Sequence, residues 1–223
     1  MEEAHVKALK NPFEAMLNDH GPVEPVDLLS RESYEAKRSE LLTCGRHIKE
    51  KLRISLGESF SLLFETRATA WLQIHEELRW MAKPDPKQVA EILARYNTLL
   101  PNAQGISACL FLDTRDPVRA RRMIQTVDID SMALRIQLNE SLLEAQSMEL
   151  NGGALESVNY LRFSETCSSK SLESNCIQWS APKPSKLLMP DYLAEALLAV
   201  FADSLPAAAR APVKDVAFAP VFV

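Results

Sequence analysis

His75-Glu76-Glu77 is the stretch that most invites a catalytic reading, because a histidine followed by glutamate opens the helical zinc-protease signature. That chemistry needs a second histidine four residues on, so that two imidazoles share one helix face, and position 79 is arginine. His75 also falls in phase with Trp71 and Leu78, so the residues point to a core or boundary histidine. His5, His20 and His47 are scattered, and a self-contained metal site is not expected. The four cysteines are Cys44, Cys109, Cys167 and Cys176, and none forms a CxxC pair. Cys109 lies in an apolar run and reads as a small core residue. Cys167 and Cys176 flank a polar stretch, where they are either free thiols or a redox pair. There is no GxSxG, no P-loop and no GxGxxG, and six glycines leave few places for a phosphate-cradling loop. No catalytic residue is assigned.

Surfaces offer more than motifs. By helical phase Trp80 sits with Gln73, Glu76 and Glu77 on the polar side of its helix, where a tryptophan either anchors an interface or packs beneath a neighbouring segment. Arg115, Arg119 and Arg122 follow at four- and three-residue steps, forming either a solvated basic stripe or a dock for an acidic partner. The stretch Phe218-Ala-Pro-Val-Phe-Val223 is unusually apolar for a tail, and Phe218 and Phe222 join the contact candidates. An exposed sheet edge could also take up an extended peptide, and the charged, Ser-rich late strands are the expected edges.

The elements that must position these residues are legible in part. Residues 1–26 read as an N-terminal arm, with a helical candidate at Pro12–Asn18 and a stiff Gly21–Pro25 linker. Ser30–Lys51 reads as a helix capped by Asp27 or Ser30. Leu52–Leu56 and Phe60–Phe64 read as strands about Gly57, followed by a helix over Arg67–Lys83 with Trp71, Ile74, Leu78 and Met81 on one face. Asp85-Pro86 starts the next helix, which Pro101 ends. Ile106–Leu112 is a central strand by its unbroken apolar run, and Asp116-Pro117 starts a helix to about Thr126. Met132–Leu138 alternates as a half-buried strand, which Asn139-Glu140 can turn into a partner strand over Ser141–Met148, a stretch that reads as either helix or strand. Asn151–Gly153 reads as a loop. Val158–Phe163 and Asn175–Ser180 read as a final hairpin around a Ser164–Ser174 loop, and Pro190–Ser204 as the last helix. Residues 206–223 read as a C-terminal arm. The expected fold is α+β: one domain over residues 27–205, with a mostly antiparallel sheet and helices packed on one side.

Composition bounds the function class. The chain has 223 residues, 47% of them hydrophobic and 25% charged, enough for an ordinary core. A net charge of −5 argues against nucleic-acid binding as the main activity. The N-terminus lacks the order of a signal peptide and no apolar run reaches a membrane span, so a cytoplasmic chain with no membrane partner is expected.

Five stretches together resemble a bacterial family labelled as a domain of unknown function. They are Arg53-Ile-Ser-Leu-Gly57, Leu63-Phe-Glu-Thr-Arg67, Gln73-Ile-His-Glu-Glu-Leu-Arg79, Tyr96-Asn-Thr-Leu-Leu-Pro101 and Ser157-Val-Asn-Tyr-Leu-Arg-Phe163. The resemblance spans roughly residues 30 to 205 and implies a fold, but no chemistry. Genes of that family often neighbour those of rubrerythrin-like or iron–sulfur oxidoreductases, which implies redox partnership. Trp71, Trp80 and the two arms depart from the family pattern. In this the chain is similar to the small partner proteins of methanobactin biosynthesis. That similarity implies a non-catalytic subunit of a heteromeric peptide-modifying oxidase, with no cofactor of its own. The partners so implied are an iron-dependent TIM-barrel oxygenase, which holds the iron, and a precursor peptide. The competing expectations are a thiol-dependent redox accessory using Cys167 and Cys176, and an interaction module without chemistry.

Overall fold

The computed structural model describes residues 21–102, 105–127, 132–148, 157–168, 175–180 and 183–204, without the side chains of 167–168 and 200–204. The sequence-based candidates Pro12–Asn18, Asn151–Gly153, Phe218 and Phe222 lie outside these residues.

Short-range signals start the helices. In α1 (Arg31–Leu52) the Ser30 hydroxyl accepts from the Ser33 N–H, supplying one of the orphan donors of a helix start. Thr66 and Thr69 exchange side-chain and backbone bonds at the start of α2 (Arg67–Leu78), and Asp85 and Gln88 do so at the start of α3 (Pro86–Asn97). Asp116 caps α4 (Pro117–Thr126) through Val118 and Arg119 N–H. The last helix, α5, is Asp191–Ser204.

The strands are β1 (Arg53–Leu56), β2 (Phe60–Phe64), β3 (Ile106–Leu112), β4 (Arg135–Leu138), β5 (Ser141–Ser147), β6 (Val158–Ser168), β7 (Cys176–Trp179) and β8 (Ser185–Leu188). They form one sheet in the order β1-β2-β3-β6-β5-β4-β7-β8, with every pair antiparallel. Asn139 takes a positive φ of 49° in the tight turn between β4 and β5, a conformation Asn tolerates. The α+β expectation holds.

Two apolar clusters organise the body. The larger joins Leu62, Leu110, Ile136, Leu143 and Phe163 of the sheet to Leu193 and Leu197 of α5. The smaller gathers Tyr34, Leu41, Trp71, Ile74, Ile92 and Leu93 from α1, α2 and α3. Ile48 of α1 packs against both. Val23 is buried and its backbone exchanges two hydrogen bonds with the Asn97 side chain, so the end of the expected arm is docked on α3.

Four expectations differ from the structure. The helix expected to reach Lys83 stops at Leu78, where i to i−3 bonds from Trp80 to Glu77 and from Met81 to Leu78 turn the chain. The strand expected from Met132 begins at Arg135, because Ala133 adopts a φ of 43°, incompatible with an extended ladder. Val158–Phe163 does not pair with Asn175–Ser180. β6 already bonds β3 on one side and β5 on the other, and β7 lies between β4 and β8. Ser164–Ser168, expected as loop, continues β6 because β5 supplies a ladder partner. β8, hidden among Pro182, Pro184 and Pro190, is one sheet edge and β1 is the other.

Candidate functional site

A buried polar cluster is centred on Glu65, at the junction of β2 and α2. Glu65 is 2% exposed, and its carboxylate accepts from the Thr69 hydroxyl at 2.5 Å, the Cys109 thiol at 2.9 Å and the Gln73 amide at 3.3 Å. Burial, and then the charge and hydrogen bond of Glu65, push the Cys109 thiol far up, with Lys49 acting the other way. Such a thiol is a hydrogen-bond donor and not a nucleophile. Tyr160 lies directly across from Cys109 in the β3–β6 register, and burial first, then Cys109 and Glu65, push its phenol up to about 12. The cluster ties β3, through Cys109, to the start of α2, through Thr69 and Gln73.

His75 is likewise structural. It is 3% exposed, stacked on Tyr34 with ring centroids 4.6 Å apart and tilted against Trp71 at 4.0 Å. Nε2 accepts the Leu29 N–H at 3.0 Å, which places the proton on Nδ1, 3.0 Å from the Trp71 carbonyl. The apolar-face expectation for His75 is met. Its neighbour Glu76 faces outward, bound by Arg38 at 2.7 and 2.8 Å and by the Tyr34 hydroxyl at 2.7 Å. The Arg38 bonds hold the Glu76 carboxyl below its ordinary value against the opposing pull of burial. Arg67, 6% exposed, meets Asp27 at 2.6 Å and the Gly21 carbonyl at 3.1 Å, tying the 21–29 segment to α2.

The surface candidates separate. Trp80 is 80% exposed and lies just beyond α2, not on it. Its neighbours are anchored: Met81 packs on the helical cluster, and Arg31 donates to the Met81 and Ala82 carbonyls at 3.2 and 3.4 Å. The Arg79 guanidinium lies 4.9 Å from the Trp80 ring centroid and is paired to Glu35 at 3.0 Å. Of the arginine stripe, Arg119 and Arg122 are exposed on α4, whereas Arg115 precedes the helix cap. Arg119 meets Glu58 at 3.2 Å. Arg121, which lies off the four- and three-residue steps, is exposed as well, and Val118, one turn before Arg121 and Arg122, is 76% exposed. Reading α4 by its burial side rather than by arginine steps finds this face.

Cys176 is fully buried, near the Gln178 amide at 3.6 Å, and the Cys167 side chain lies outside the described residues. Among the described residues no group of three or more His, Cys, Asp or Glu is placed to hold a metal, and no helix is long and apolar enough to cross a membrane.

No curated protein matches the chain. A solved structure described as a novel protein of unknown function from Burkholderia pseudomallei shares the fold, with a TM-score of 0.72 at 20% identity over 83% of this chain and 100% of that one. The model of the family described as protein of unknown function (DUF3501) matches residues 22–179, from the docked segment before α1 to the end of β7, and the chain belongs to that family.

Proposed function

We propose that the chain is a non-catalytic docking subunit that binds a partner protein. The observation that carries this reading is the Trp80–Arg79 pair, an exposed aromatic with a cation over its ring, held in place by Glu35 and Arg31. A large aromatic whose backbone is already ordered loses little freedom on binding, which is the character of an interface anchor. The buried groups support the same reading, since the Cys109 thiol and His75 are both engaged in holding the fold.

In the specific form implied by the resemblance, the partner is an iron-dependent TIM-barrel oxygenase and the assembly modifies cysteine-bearing precursor peptides, as in methanobactin maturation. The subunit would complete the partner's active-site wall and hold the leader peptide. The thiol-redox alternative has less to stand on, because Cys176 has no exposed surface.

The test is co-expression with the products of neighbouring genes, then size-exclusion chromatography and metal analysis. A stable complex whose iron follows the partner chain is expected. Trp80→Ala should weaken it by about 2 kcal/mol, some thirtyfold in Kd, while leaving the unfolding midpoint of the free chain unchanged. Assembly of the variant as tight as wild type would remove Trp80 from the interface.

A further inference from the structure

The outward face of α4 combines features that do not stabilise the isolated chain. Arg115, Arg119, Arg121 and Arg122 fall within eight residues of a chain whose net charge is −5. Among the described residues only Arg119 meets a carboxylate, that of Glu58. Arg119 and Arg122 stand three residues apart on one helix, a repulsive spacing, and Arg119 lies in the first turn, where the helix dipole disfavours a cation. Asp116 forms no ion pair with them; its Oδ1 accepts from the Val118 and Arg119 N–H groups as the helix cap. Val118 is 76% exposed and shares its face with Arg121 and Arg122 at three- and four-residue steps, while Met123 and Val127 face the body. Local rules broken without an internal compensation mark a place where something else supplies it.

We propose that this face binds an acidic, apolar-containing stretch of a partner polypeptide, whose carboxylates pair with Arg115, Arg121 and Arg122 and whose apolar side chain covers Val118. The inference rests on the docking reading above and names the chemistry of one contact. Guanidinium forks match carboxylates in pairs. A polypeptide is favoured over a nucleic acid because the site centres on an apolar side chain, which phosphates do not reward, and because the rest of the chain is acidic and repels a polyanion.

The test uses the full chain and a fluorescein-labelled peptide rich in glutamate with interspersed leucine, followed by fluorescence anisotropy. Saturable, salt-sensitive binding is expected. Arg121→Glu with Arg122→Glu should weaken it by roughly tenfold, and Val118→Ser by roughly threefold. Because these side chains are exposed, both variants should keep the wild-type unfolding midpoint. No binding by the wild-type chain, or equal binding by the variants, overturns the proposal. Tighter binding of a labelled single-stranded oligonucleotide, or of phosphatidylserine vesicles, through the same arginines overturns the assignment to a polypeptide. The titration contains no partner protein, so its outcome is independent of whether Trp80 governs assembly.

Discussion

His75 holds a backbone segment only while it is neutral, because Nε2 must accept the Leu29 N–H. Burial lowers its proton affinity, and the Trp71 carbonyl and Glu76 only partly oppose this. The unfolded chain therefore binds a proton that the folded chain resists. With the folded value depressed below about 6.5, the contribution is fully present above that pH and is lost as pH falls through the unfolded value toward the folded one. Glu76, also depressed, loses its contribution only at lower pH, through the carboxylate range. The unfolding free energy measured in urea is expected to fall between pH 7 and pH 5. His75→Gln, which keeps a donor and an acceptor but does not titrate, should flatten that fall. An unchanged slope in the variant would place the titration elsewhere. Little of this was legible beforehand. The three- and four-residue phase put His75 on the buried face, but the Leu29 bond joins residues 46 apart and leaves no periodic trace.

Gly105, immediately before β3, shows how an element's position rests on one residue. Its φ is 143°, and an added Cβ would stand 1.9 Å from the Phe163 carbonyl oxygen of β6. Neither the backbone conformation nor the space admits a side chain. Gly105→Ala is expected to cost on the order of 3 kcal/mol, since β3 or β6 must shift to relieve the clash, and its urea midpoint should drop accordingly. A loss below about 1 kcal/mol would mean the strands separate cheaply there. Elements with local signals were readable: the Asp85-Pro86 and Asp116-Pro117 starts, the Gly57 turn and the Asn139 turn all fall where the residues put them. Elements fixed by distant partners were not. The polar run Ser164–Ser168 becomes strand because β5 lies beside it, and β8 forms from four residues because β7 offers a ladder. Sheet order is decided by such pairings, which is why a sequence-adjacent hairpin between β6 and β7 was the natural, and incorrect, expectation.

At the scale of the whole molecule the sheet has two ends of different character. β1 carries Arg53, which is bonded to both oxygens of Asp113 at 2.9 Å and lies 4.6 Å from the Phe111 ring centroid, so a charged network stands at that end. β8 carries Leu188, 65% exposed, and Tyr192 just beyond it is 54% exposed. The β7–β8 register together with the Met189 N–H bond to the Asn175 carbonyl makes Leu188 a non-hydrogen-bonded partner of Cys176, so its N–H points away from β7. An outward backbone donor beside exposed apolar side chains is a feature by which a sheet accepts an added strand. If the docking subunit holds its peptide this way, Leu188→Pro should remove the outward donor while leaving the β7 ladder intact, since proline is tolerated where the N–H faces away from the neighbour. The expected result is an unfolding midpoint within about 1 kcal/mol of wild type and a peptide affinity lowered by roughly tenfold, read by titration of the co-purified assembly. Retained affinity would move the peptide off β8 and leave the Trp80 and α4 surfaces as the places to look.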